Sequence, residues 1–218
     1  MRFALTLSFL AAGCAADINQ MKVLLDDRIV DIRSRGRLDL DKNGVAFMSL
    51  GTATEKCAAG GYSISFIPVP SGTPEARFYA NTSNILGTPA TVIKAPAACV
   101  EVVGMTLPPG DYQMTKGLWS LDLGTTKEAV RSDRFLGAPF TVRAGQIAYL
   151  GSFQMVFQYG EGLFGKKVLS GGEYGVVDEK ERDLGKLLEI RPEPKAIPVK
   201  AEMISPRSEV NSGGAIAQ

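Results

Sequence analysis

Histidine is absent from all 218 residues. Its absence removes the Ser-His-Asp triad, Cys-His catalysis and histidine zinc sites from consideration. An excess of either charge is lacking too, with 24 Lys and Arg against 23 Asp and Glu, a formal net charge of +1. Nucleic-acid binding normally rests on a strong basic face, so no nucleic-acid partner is expected. Long hydrophobic runs are missing as well. Phe3 to Leu10 is apolar apart from Thr6 and Ser8, far short of the ~20 residues that carry a helix across a bilayer. Cysteines number three and tryptophans one, and no repeat of solenoid period is present.

What the first residues do contain is ordered. Arg2 supplies a short positive region, Phe3 to Leu10 an apolar one, and Ala11-Ala12-Gly13 place small residues before Cys14. That order is the pattern of an export signal. The segment Leu10-Ala11-Ala12-Gly13-Cys14 resembles the lipobox of bacterial lipoproteins, with Ala11 where that family more often has Leu. The resemblance implies cleavage before Cys14, diacylation of its thiol and acylation of the new amino group. Two or three acyl chains anchor stably where one is marginal. Ala15 follows the cysteine instead of an inner-membrane retention Asp, which implies the outer membrane. The alternative is an ordinary secretory signal cut near Ala12 or Ala16.

Removing residues 1–13 leaves 205 residues, enough for one well-formed core. With Cys14 acylated, two cysteines remain, Cys57 and Cys99, separated by 42 positions. Export into an oxidising compartment favours a disulfide between them, and each stands just before a candidate strand. The alternative is two buried thiols that never meet.

Residues 14–43 form a charged leader of mixed sign, rich in Asp and Arg, with Val23, Leu24, Leu25, Ile29, Val30 and Ile32 interspersed. A short helix, or a first strand around Arg28 to Ile32, fits that composition. From Gly44 short β-rich runs alternate with turn residues. They are Val45 to Leu50, Tyr62 to Ile67, Ala76 to Ala80, Thr91 to Lys94, Cys99 to Leu107, Asp111 to Leu123, Ala138 to Val142 and Ile147 to Phe157. The last two, joined by Arg143-Ala144-Gly145-Gln146, read as a hairpin. Period two places Tyr149, Gly151, Phe153, Met155 and Phe157 on one face, with Gly151 leaving room for Tyr112 or Trp119 of a facing sheet. Tyr174 to Val177 suggests a further short strand. Asp178 is positioned to cap a helix through Leu188, with Glu179 and Glu181 early in it as the macrodipole favours. Residues 190–218, with Pro192, Pro194, Pro198 and Pro206, read as an extended or disordered tail. The fold class expected for 44–189 is mainly β, an antiparallel β-sandwich with a short C-terminal helix.

Two motifs add a resemblance. Leu107-Pro108-Pro109-Gly110-Asp111-Tyr112 and Phe140 to Gly151 are similar to turns in the small prealbumin-like, Ig-like β-sandwich domains of uncharacterised bacterial lipoproteins. The similarity covers roughly Gly44 to Glu189, and that family supplies no catalytic residues to carry over.

Other candidate chemistry is thin. Asp39-Leu40-Asp41-Lys42-Asn43-Gly44 has the opening spacing of a calcium loop. Leu50 stands where that loop needs its bidentate Glu, so a polar turn is the alternative. Gly160 to Lys167 lacks the GxxxxGK[ST] spacing of a phosphate loop, and Lys167 is followed by Val168. The aromatics Tyr112, Trp119, Tyr149, Phe153 and Phe157 fit a core at strand period better than a carbohydrate platform. The expectation is an outer-membrane, lipid-anchored binding or scaffolding protein with an envelope protein partner. No cofactor, metal or catalytic residue is expected. An accessory lipoprotein of a secretion or transport assembly, or an envelope enzyme with a carboxylate pair, are the alternatives.

Overall fold

Apolar residues set the buried faces of the strands, and Pro70, Pro96, Pro108, Gly162 and Asp178 stand just past the ends of five of them, as turn chemistry favours. The computed structural model describes residues 30–34, 38–55, 57, 60–70, 76–82, 90–122, 127–193 and 197–205. In chain order its strands are β1 (Gly44–Thr52), β2 (Gly61–Val69), β3 (Ala76–Ala80), β4 (Val92–Ala95) and β5 (Ala98–Leu107). Then follow β6 (Gly110–Asp122), β7 (Lys127–Ser132), β8 (Pro139–Val142), β9 (Ile147–Glu161), β10 (Lys167–Val177) and β11 (Val199–Ala201). Helix α1 (Lys180–Ile190) lies between β10 and β11.

The protein is mainly β, with two sheets and one short helix among the described residues. One sheet has the order β10-β9-β1-β5-β4, with β11 also paired to β9. The other has the order β3-β2-β6-β7, with β8 paired to β6. Their facing sides enclose the main core, where Met48, Leu50 and Phe153 meet Ile64, Phe66, Trp119 and Phe140. A second apolar cluster covers the outer side of the first sheet, where Leu187 of α1, Ile32 and Leu38 pack on Phe47, Val102 and Tyr149. Covered on both faces, β1 and β5 are buried along their whole length.

The structure differs from the sequence reading in several places. The sandwich is not purely antiparallel, because β9 runs parallel to β1 and β11 runs parallel to β9. β8 and β9 are not a hairpin: β8 pairs with β6 in one sheet and β9 with β1 and β10 in the other. The Arg143–Gln146 turn instead carries the chain from sheet to sheet, held where Gly145 N donates to the Leu40 and Asn43 carbonyls. β7 has no counterpart in the sequence reading, and β10 is longer than the Tyr174–Val177 strand expected. The folded body also takes in more chain than 44–189. Asp31 bridges to Met105, and β11 and the buried Ile204 extend past 190.

The face assignment of β9 fails for a specific reason. Between Phe47↔Tyr149 and Ser49↔Ser152, two β9 residues, Leu150 and Gly151, oppose one of β1. This bulge inverts the alternation. Tyr149 and Phe153 are both fully buried, but Tyr149 belongs to the outer cluster and Phe153 to the inner core. Gly151 sits at φ 116, and a Cβ there would lie 2.4 Å from Val176 Cγ1. Val176, not Tyr112 or Trp119, occupies the space beside it.

Beyond Phe157, which packs edge-on against Trp119 at 4.7 Å, β9 and β10 continue as a two-stranded hairpin. Its tip is a single 3-10 turn, Leu163–Gly165.

Candidate functional site

Helix α1 brings the most chemically dense cluster together. Asp183 and Leu187 are four residues apart, so they share the face turned to the sheet, and both are fully buried. The Asp183 carboxylate accepts hydrogen bonds from Ser49 Oγ at 2.7 Å and from the Tyr149 hydroxyl at 2.9 Å. Arg182 Nε donates to its other oxygen at 2.8 Å and Nη2 lies 2.7 Å away. Arg182 Nη2 also reaches Ser152 Oγ at 3.0 Å, and Gln154 Nε2 donates to the same oxygen at 3.1 Å. The Tyr149 hydroxyl in turn accepts from Glu179 N at the helix start, 3.2 Å away. The bulge at Gly151 makes this possible, since it turns Tyr149 and Ser152 to the same outer face.

Burial pushes the Asp183 carboxyl above its ordinary range, opposed by the Ser49, Arg182 and Tyr149 contacts. Burial likewise raises the Tyr149 hydroxyl, and the Asp183 charge raises it further. A carboxylate ringed by four donors and cut off from solvent has no open coordination for a substrate. The cluster braces α1 onto the sheet.

A second carboxylate works the same way on β5. Glu101, 3% exposed, accepts from Thr91 Oγ1 at 2.6 Å, Asn81 N at 2.6 Å and Arg33 Nη1 at 3.1 Å. Burial disfavours the Arg33 charge, yet Asp31 and Glu101 together raise its pKa above the ordinary value. Residues 30–34 are thereby tied to β5.

The residues singled out from the sequence fall as follows. Cys14 lies outside the described residues. Cys57 and Cys99 are joined in a disulfide with Cα atoms 5.2 Å apart, tying the loop after β1 to the start of β5. Asp39 to Asn43 form a turn in which Asn43 N donates to the Asp39 carbonyl at 3.1 Å. A concavity of about 720 Å³ there is lined by Asp39, Asp41 and Glu193 among others. Its carboxylates are not gathered: among the described residues no three His, Cys, Asp or Glu side chains converge as a metal site would need. The segment is the polar turn leading into β1. Of the aromatic set, Tyr112, Trp119 and Phe153 lie in the inner core, Phe157 packs against it, and Tyr149 holds Asp183. The Tyr112 hydroxyl reaches back to the Pro108 carbonyl at 2.7 Å, the local tie that tyrosine corners make in β-sandwiches.

Sequence reasoning missed Asp183 and Glu101. Each had a signal. Asp183 stands four before Leu187 on an otherwise apolar helical stripe, and Glu101 interrupts the apolar run from Val100 to Val103. A buried charge at such a position needs partners.

No family model and no curated protein matches the chain. Among solved structures, a leucine-rich repeat protein from Bacteroides thetaiotaomicron aligns over 53% of this chain and 14% of its own, at 11% identity and a TM-score of 0.30. A likeness that slight carries no argument.

Proposed function

We propose that the protein is a lipid-anchored envelope protein that binds or scaffolds a partner and performs no catalysis. The observation that carries this reading is the Leu10-Ala11-Ala12-Gly13-Cys14 segment after a short apolar run. It implies acylation at Cys14 and an outer-membrane location, in the manner of the prealbumin-like lipoproteins that the Leu107–Tyr112 and Phe140–Gly151 motifs resemble. Two features of the fold support a binding role over an enzymatic one. The carboxylates of Asp183 and Glu101, the most deeply buried acids among the described residues, are closed braces saturated by donors. The exposed large apolar side chains instead concentrate on the β9–β10 hairpin, at Val156, Tyr159, Leu163, Phe164 and Val168.

Membrane fractionation tests the anchor. The wild-type protein is expected in the envelope pellet and Cys14→Ser in the soluble fraction or unprocessed. A wild-type protein that is soluble after lysis overturns the reading. Mild cross-linking of the native envelope tests the partner, with one specific adduct expected and none arguing against a scaffold.

A further inference from the structure

The β9–β10 hairpin ends in an arrangement that the interior of the fold does not explain. Gly165 N donates to the Gly162 carbonyl at 3.2 Å, closing a four-residue turn with Leu163 and Phe164 at its centre. Phe164 has φ 63 and ψ 27, the left-handed region that glycine or asparagine ordinarily fills at the third position of such a turn. A bulky residue there is strained. Yet its ring is 97% exposed, and Leu163 beside it is 85% exposed. Both the backbone strain and the apolar exposure are unfavourable in water, and a glycine at 164 would remove both. Behind the tip stand Tyr159, 62% exposed, Val168, 47% exposed, and the exposed Lys166 and Lys167. Glu161, opposite Lys167 in the register, leaves this end with an excess of one positive charge.

We infer that the Leu163–Phe164 tip inserts into a lipid surface. The two apolar side chains enter the acyl boundary, Tyr159 sits at headgroup depth, and Lys166 and Lys167 face lipid phosphates. An apolar end, an amphipathic aromatic and flanking cations are the order in which a bilayer interface changes polarity with depth. Two inserted side chains bind only weakly and reversibly by themselves, so the contact acts as a second attachment. For its local concentration, though not for its chemistry, the inference rests on the anchored reading. The lengths agree with that role. Cys14 precedes Val30 by 16 residues, at most ~55 Å of chain. Val30 lies beside Thr106, at the end of the sheet where β9 starts, and β9 covers about 50 Å from there to the tip. The body can therefore lie along the membrane that holds its own anchor.

The test uses the chain from Ala15 to Gln218, which contains every described residue and neither the apolar signal nor an acyl chain. Flotation with vesicles at millimolar lipid compares phosphatidylcholine alone with phosphatidylcholine–phosphatidylglycerol. Association with the anionic vesicles is expected, roughly fivefold stronger than with neutral ones. Phe164→Gly is expected to lower it at least about tenfold while leaving the melting temperature unchanged or raised. Absence of vesicle association by the wild-type chain overturns the inference, as does a Phe164→Gly variant that still floats like the wild type. Capture of an envelope protein at the tip without vesicle association overturns it in favour of a protein contact. None of these outcomes alters the acylation state of Cys14, which is read separately.

Discussion

At the residue scale, the decisive position is Gly151. Its φ of 116 and the 2.4 Å approach that a Cβ would make to Val176 exclude any side chain without movement. Gly151→Ala is expected to cost about 3 kcal/mol from backbone strain and overpacking together, measured by chemical denaturation. Phe153→Ala is expected to cost about 3–5 kcal/mol, since the ring is fully buried against Phe135 at 5.2 Å. Lys166→Ala, on the exposed hairpin loop, should stay within about 0.5 kcal/mol. Equal losses in Phe153→Ala and Lys166→Ala would contradict the core assignment. Asp183 gives a pH signature. Burial raises its folded pKa above the unfolded 3.8, so the native state holds its proton to higher pH than the unfolded chain does. The associated stability is complete below about pH 4 and declines as pH rises through the folded value. Asp183→Asn cannot ionise, so wild-type stability minus that of Asp183→Asn should fall as pH rises above about 4. A difference that is flat or rises with pH contradicts the assignment.

At the scale of elements, most strands were legible because their two-residue alternation and turn punctuation are local. β1, β2, β5 and β6 lie close to where Val45–Leu50, Tyr62–Ile67, Cys99–Leu107 and Asp111–Leu123 placed them. α1 begins at Lys180, whose N–H is held by Asp178 Oδ1 at 3.1 Å, so Asp178 caps it one position earlier than a standard N-cap. The pairing was not legible. A tight turn between two strands reads the same whether it closes a hairpin or crosses a sandwich, and only the long-range partners of β8 and β9 decide. The bulge at Leu150–Gly151 was hidden for the same reason. Asp183→Ala should release α1 selectively, because it leaves the buried Tyr149 hydroxyl and Arg182 Nε without their Asp183 acceptor, while Ser49 keeps Ser152 Oγ at 2.8 Å. A global cost of about 3–5 kcal/mol is expected, with amide exchange quickening first in 180–190. Uniform loss of protection across both sheets would show that the brace does not act on the helix.

At the scale of the whole molecule, the Cys57–Cys99 bridge closes a loop with a sequence separation of 42. The loop-entropy model gives such a bridge about 4 kcal/mol, and denaturation with and without reductant should show a loss of that order or somewhat less. The outer apolar cluster explains why the leader and tail looked ambiguous from sequence. Ile32, Leu38, Ile197 and Val199 are too few for elements of their own and gain burial only against the outer side of β1, β5 and β9. The anchored reading stands on Cys14, and mass spectrometry of the N-terminal peptide from membrane-extracted protein tests it most directly. The account predicts a chain that begins at Cys14 and carries acyl groups on the thiol and the amino group. A chain that begins at Ala15 or later, or one with an unmodified Cys14, would contradict it.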